Sequence, residues 1–288
     1  MNFKFKKIVL TVCVLFITHG ICAFSTGKYF FLKKDISLVQ PINPEYKTKN
    51  WVIGFAKGGV YEAGQNFNAQ NSVNKGFDVI INYKKRDIDN DFYQKNKDIL
   101  DQKRGVGYWL WKPYFILKTL NMMNEGDVLM YLDAGVIFLS NIYPYIDKMV
   151  KNDKDIILFK NGHTNRIYNK KDAFMLMGVD EKYQDYPQMA GGLMIIRNTK
   201  RARDFIQKWM TYCQDKRILT DQKSINGEFS DFKDHRHDQA VLSLLYYKEP
   251  AGVLIADDDK DFLIHQRRDI NISLAWLMLK HRILKYFN

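Results

Sequence analysis

Between Gly126 and Gly135 the chain reads DVLMYLDA, an unbroken apolar run from Val128 to Leu132 closed by Asp127 and Asp133. A half-exposed strand would alternate apolar with polar residues. A short continuous run bounded by glycines instead predicts a strand covered on both faces, as in the centre of a parallel sheet with helices on each side. Asp133 then stands at the carboxyl end of that strand, the edge along which open α/β sheets bind ligands. A strand-end Asp also caps turns, so the ligand-facing and turn-capping roles stay open side by side.

The segments around this run alternate in the same sense. Trp51 to Ala56 and Phe77 to Tyr83 read as strands, with a polar, helix-compatible segment after Gln65 between them. Pro113 suits a first helical turn, and Ile116, Leu117, Leu120 and Met123 follow at helical spacing up to a stop at Asn124 to Gly126. Asp155 to Phe159 and Met189 to Arg197 read as further strands, the latter entered through Ala190-Gly191-Gly192. Arg201 to Tyr212 and Asp238 to Tyr247 read as amphipathic helices, and Phe262 to His265 as a last apolar piece. The alternation predicts an α/β chain whose central sheet is covered by helices on both faces.

The 288 residues are 46% hydrophobic and 14% aromatic, enough for a sizeable core. A formal charge of +12 suits a protein that handles phosphates or lies against anionic lipid. Zinc-finger spacing, an RNA-recognition signature and a basic zipper helix are all missing, so no nucleic-acid partner is expected. Cys13 and Cys22 lie in an apolar leader and Cys213 stands alone, which leaves no disulfide framework and no CxxC metal pair.

Lys4, Lys6 and Lys7 precede the apolar stretch Ile8 to Phe24, the layout of a signal sequence. Residues 1–27 are read as a signal-anchor in preference to a cleaved signal peptide, which implies a membrane-associated protein, or a secreted one if cleavage occurs. Lys28, Lys33 and Lys34 nearly balance the preceding lysines, so charge does not set the side of the membrane. Residues 269–288 read as a basic amphipathic helix suited to a membrane surface or to docking on the core.

Four runs together resemble bacterial GT-A-fold glycosyltransferases: RGVGYWLWKPYFILKTL at 104–120, GDVLMYLDAG at 126–135, QMAGGLMIIRN at 188–198 and HRHDQAVLSLL at 235–245. The likeness spans about residues 50–268 and is to the glycogenin and lipopolysaccharide galactosyltransferase type, which implies a Rossmann-like GT-A α/β fold with a mixed central sheet flanked by helices and a catalytic domain at 50–268. It implies transfer of a sugar, as by a hexosyltransferase, from a nucleotide-sugar donor to a glycan, lipid-linked or protein acceptor. In that superfamily the strand ends in Asp-x-Asp, whereas here it ends in Asp133-Ala134-Gly135, without the second carboxylate.

Departure of a diphosphate calls for a divalent cation, for Arg and Lys, or for both. Asp133 is the candidate ligand for Mn2+ or Mg2+. The resemblance adds His265 as a late metal-binding histidine and Asp238-Gln239 as the pair beside the transferred sugar, catalytic or in contact with it. An N-cap reading of Asp238 stays open. Ala190, Gly191 and Gly192 are candidates to leave room for the donor sugar, with a tight bend as the alternative. Lys112 is a candidate to approach a phosphate, and Arg267 and Arg268 are candidates to hold phosphate oxygens, with a solvated basic surface as the alternative. Tyr108, Trp109 and Trp111 are candidates for stacking on a base or sugar, with a core role as the alternative. His235 and His237 around Arg236 offer a proton carrier and a phosphate clamp, or surface histidines at a helix entry. Two other classes remain open: a nucleotidyltransferase on a related fold, and a glycan-binding or scaffolding protein that has lost catalysis.

Overall fold

Strand β4 (Val128–Leu132) is buried at every position and sends its side chains alternately into two separate apolar clusters. Leu129 and Tyr131 enter one; Val128, Met130 and Leu132 enter the other. The computed structural model describes residues 38–39, 48–225, 227–256 and 261–264. All of these belong to one unit, residues 37–288.

The main sheet runs in the order β1 (Leu38–Val39), β3 (Val79–Tyr83), β2 (Asn50–Phe55), β4, β8 (Leu193–Arg197), β6 (Ile156–Thr164) and β7 (Pro187–Met189). β9 (Val253–Ala256) pairs in parallel with β6. β2, β3 and β4 are mutually parallel, and β8 is antiparallel to β4. The sheet is therefore mixed, with the expected central strand at the point where its direction changes. A separate antiparallel pair joins β5 (Val136–Phe138) to β10 (Phe262–Ile264).

The longer helices are numbered α1 (Gly59–Ser72), α2 (Trp111–Met122), α3 (Tyr143–Lys151), α4 (Lys200–Cys213) and α5 (His237–Lys248). α2, α4 and α5 supply one cluster through residues such as Phe115, Trp209 and Leu244. α1 and α3 supply the other through Ala69, Ile146 and Met149. Helices thus cover both faces, which is why β4 reads as continuously apolar rather than alternating.

Two expectations change. The first helix begins at Gly59 rather than after Gln65, which lies inside it. The Gln65 amide donates to Gly54 O at 2.8 Å and Tyr83 O at 3.1 Å, so this polar residue ties α1 to β2 and β3. Met189 to Arg197 is not one strand but β7 and β8 joined by a turn at Gly191-Gly192. The two strands both pair with β6, and the turn carries the chain out of line between them.

Among the described residues no helix is long and apolar enough to cross a membrane. The leader 1–27 and the stretch 269–288 lie outside the described residues.

Candidate active site

Four segments distant in sequence meet beyond the carboxyl end of β4. Lys112 comes from the first turn of α2, Asp133 from the residue after β4, Gly191 and Gly192 from the turn before β8, and Asp238 and Gln239 from the first turn of α5. Pairing of Leu132 with Leu193 puts that turn against Asp133, whose N–H donates to Gly192 O at 2.8 Å. The indole of Trp209 in α4 donates to Asp238 O at 2.9 Å and fixes the start of α5. These residues line a cleft of about 190 Å³.

Lys112 is only 2% exposed. Its Nζ lies 2.7 Å from Asp238 Oδ2 and 3.4 Å from Asp133 Oδ1. Tyr131 donates its hydroxyl to the same Asp133 oxygen at 2.5 Å, and the rings of Trp111 and Tyr131 lie 5.8 and 5.5 Å from the ammonium. Burial pushes the Asp238 carboxyl up to about 6 against the pull of Lys112, with Asp133 pushing the same way as burial. Burial opposes the charge on Lys112, but Asp133 and Asp238 together outweigh it and hold its pKa above the ordinary lysine value. The ammonium is thus a fixed cation shared by two carboxylates.

Gly191 and Gly192 form one wall. A Cβ on Gly192 would stand 2.8 Å from Asp133 Oδ2, and one on Gly191 would stand 2.9 Å from Gln239 Cβ. Gln239 accepts from Gly191 N at 3.2 Å and donates to Gln188 Oε1 at 2.8 Å, so its amide is oriented from both ends. Ala190 is not part of this wall. Its N–H donates to Phe159 O at 2.7 Å and its side chain packs toward the second cluster, because the turn begins only after it.

The approach to α2 is a left-handed helical turn. Gly105, Val106, Gly107, Tyr108 and Trp109 all have positive φ, from 50° to 97°. Left-handed backbone costs roughly 1–2 kcal/mol for each residue with a Cβ, and Val106, Tyr108 and Trp109 all carry one. Strain of this kind beside a cleft has to be held by its surroundings. Tyr108 donates to Asp221 Oδ2 at 3.1 Å, and Arg104 pairs with Asp234 at 3.0 Å and Asp221 at 3.5 Å. The Trp109 ring stacks on His237, with centroids 5.2 Å apart, and lies close against Gly105. Trp111 is buried and stacked on Phe55 at 4.0 Å. Trp111 is thus a core residue, while half-buried Trp109 lines the cleft.

His235 is buried beside the cleft with both ring nitrogens engaged. Its Nδ1 accepts from Lys170 N at 3.3 Å, its Nε2 faces Ile218 O at 2.8 Å, and burial holds its pKa well below the ordinary histidine value. His237 borders the cleft, with Nδ1 2.9 Å from Leu219 O, and burial lowers its pKa also. Sequence reasoning did not foresee Tyr131, Arg104, Asp221 or Asp234 at the site. Arg236 lines the cleft, stacks on the Tyr168 ring at 4.9 Å and pairs with no carboxylate among the described residues.

Arg267, Arg268 and His265 lie outside the described residues. A hard divalent cation takes several oxygen or nitrogen donors. Among the described residues no group of three His, Cys, Asp or Glu side chains is placed to hold one. The Asp133 oxygen nearest Lys112 also already accepts from Tyr131.

A mixed sheet with polar residues gathered where its central strand ends is the arrangement of an α/β protein with a ligand cleft at the carboxyl edge of its sheet. The chain belongs to the nucleotide-diphospho-sugar transferase family, whose sequence model matches residues 82–266, more than half of its length. It is a glycosyltransferase, and the family match together with the mixed sheet bears out the GT-A expectation. No curated protein matches the chain. Among solved structures it is similar to mouse xyloside xylosyltransferase 1 in its apo form, at 10% identity and TM-score 0.43, covering 73% of this chain and 85% of that one. A glycosyltransferase involved in glycosylation of the major capsid of PBCV-1 gives 9% identity and TM-score 0.45, covering 77% and 97%. The galactosyltransferase LgtC, in complex with donor and acceptor sugar analogues, gives 16% identity and TM-score 0.40, covering 71% and 73%.

Proposed function

We propose that the cleft binds a nucleotide-sugar donor and passes its sugar to a hydroxyl of a glycan or lipid-linked acceptor at a membrane surface. The diphosphate lies toward Asp133, Lys112 and Arg236, and the sugar lies against Gly191 and Gly192 beside Asp238 and Gln239. The acceptor oxygen bonds to the anomeric carbon as the bond from that carbon to the phosphate oxygen breaks. The hydroxyl proton leaves with the departing oxygens or to solvent.

The observation that carries this reading is the single ammonium shared by Asp133 and Asp238, which joins the strand end to the start of α5 across a glycine wall. Preorganised charge of this kind is worth more in a buried site than in water. Lys112 contributes there as a partner of the carboxylates, and among the described residues Arg236 is the cleft cation that pairs with no carboxylate and can meet phosphate oxygens through paired N–H donors.

The test is release of nucleoside diphosphate from a panel of UDP- and GDP-sugars by the full chain, with and without simple glycan acceptors. Turnover by the wild type that falls about a hundredfold or more in Asp238→Asn, with folding intact, supports the assignment. Wild-type turnover that Asp238→Asn and Gln239→Ala leave unchanged would move the chemistry elsewhere in the chain.

A further inference from the structure

Any anionic donor entering this cleft meets Asp133 and Asp238, and a diphosphate beside two carboxylates needs a cation between them. Lys112 already stands between the two carboxylates. Its Nζ reaches one oxygen of each carboxylate, it stands on the first turn of a buried helix, and it is 2% exposed. A divalent ion bound to Asp133 at the usual oxygen distance of about 2.1 Å would sit close to an ammonium 3.4 Å from the same carboxylate oxygen. Like charges at that range repel, the more so where burial lowers the dielectric around the ammonium.

The charge balance of the cleft agrees. Among the described residues its lining carries three cationic side chains, Arg104, Lys112 and Arg236, and three carboxylates, Asp133, Asp234 and Asp238. The strand end also carries one carboxylate, with Gly135 where a second would bring the negative charge that suits a dication. The raised pKa of Lys112 fits an ammonium that keeps its proton throughout.

We infer that Lys112 is the resident cation of the donor site, bridging Asp133 and Asp238 in the charge-neutralising place of a divalent metal, so that the donor diphosphate binds without added metal. This rests on the cleft being the donor site, as proposed above. Lys112 acts through the two carboxylates and at the edge of the phosphate group, and unlike a bound ion no chelator removes it.

The test is calorimetric titration of the full chain with UDP, GDP, CDP and ADP, each in excess EDTA and in excess manganese, for wild type, Lys112→Met and Lys112→Arg. The inference expects wild-type affinity for the preferred nucleotide to agree within about threefold between the two conditions. It expects Lys112→Met to weaken that affinity by about tenfold or more in EDTA and Lys112→Arg to restore part of it. Wild-type binding at least about tenfold tighter in manganese overturns the inference and leaves the donor site standing. A folded Lys112→Met that binds as wild type in EDTA overturns it equally. Absence of binding to every nucleotide overturns the donor-site reading together with the inference. If Lys112→Met fails to fold, the wild-type comparison of EDTA with manganese decides.

Discussion

The carbonyl of Gly192 accepts the N–H of Asp133 at 2.8 Å, and the space a side chain would need at Gly192 is filled by the Asp133 carboxylate, with Oδ2 2.8 Å from the position of a Cβ. The glycine is there for the approach, since its φ is not in the left-handed region.

Gly192→Ala is therefore expected to swing the Asp133 carboxylate away from Lys112 while the strand pairing of β4 and β8 persists. A displacement near 1 Å at a reacting site costs on the order of a hundredfold in rate. The expected result is a kcat/KM about tenfold to a hundredfold lower, with thermal unfolding shifted only slightly. Steady-state kinetics and a melting curve on the same preparation check it. Unchanged kinetics would mean that Asp133 has no fixed position to lose.

How much of this was legible in the sequence differs from element to element. β4 and Asp133 were, because an apolar run closed by a carboxylate has few other meanings, and the helices at Trp111 and His237 followed from their apolar spacing. The bridge from Lys112 to Asp238 was not, because it depends on β8 pairing antiparallel to β4 and on α4 packing against both α2 and α5. Local periodicity holds no record of such pairings. The strand expected from Met189 to Arg197 failed at Gly191 for a related reason: the apolar pattern runs on through a turn whose purpose is close approach to Asp238 and Gln239. Arg104 and Asp234 are separated by 130 positions, and nothing in either neighbourhood names the other.

The buried Asp238 carboxyl gives a signed pH dependence. Its folded value of about 6 lies above its ordinary 3.8 because burial disfavours the ionised form. Folding then takes up a proton between those values. The stability this group contributes is fully present below about pH 4 and is lost as pH rises through about 6. Asp238→Asn carries no such titration. The wild type is expected to lose stability relative to that variant by on the order of 2–3 kcal/mol between about pH 4 and pH 7. Urea unfolding of both proteins across this range measures it, and parallel curves would show that Asp238 titrates normally.

The left-handed turn before α2 predicts opposite effects at adjacent positions. At Gly105, with φ +57°, a Cβ would enter the Trp109 ring, and at Gly107, with φ +97°, it would stand 2.7 Å from Leu100 Cα. Alanine at either is expected to destabilise by about 2 kcal/mol or more. Val106, at φ 57°, carries strain that glycine relieves, so Val106→Gly is expected to be neutral or stabilising by up to about 1 kcal/mol despite the lost apolar contact. Chemical denaturation of the three variants tests the handedness of the turn. Destabilisation by Val106→Gly as large as that by Gly105→Ala would contradict it.

Two lysine and arginine positions separate stability from function on the rim of the cleft. Lys170 is buried and donates to Thr220 O at 3.0 Å and Gln222 O at 2.9 Å, which pins the loop carrying Asp221. Asp221 in turn receives Tyr108 and Arg104, and Arg104 reaches on to Asp234 just before α5. The Arg104 pairs are partly exposed, and such pairs contribute about 0–1 kcal/mol to folding. The two carbonyls beneath Lys170 would lose this ammonium donor in Lys170→Met, at a cost of on the order of 2–3 kcal/mol. Lys170→Met is therefore expected to lower stability markedly, whereas Arg104→Gln should leave stability nearly unchanged and raise KM severalfold by uncoupling the two approaches to the cleft. Raised salt should weaken the wild-type rim in the same direction, because exposed pairs are screened. Unfolding curves and substrate saturation for both variants decide the matter. A larger loss of stability in Arg104→Gln than in Lys170→Met would show that the rim pairs, rather than the buried lysine, hold the loop in place.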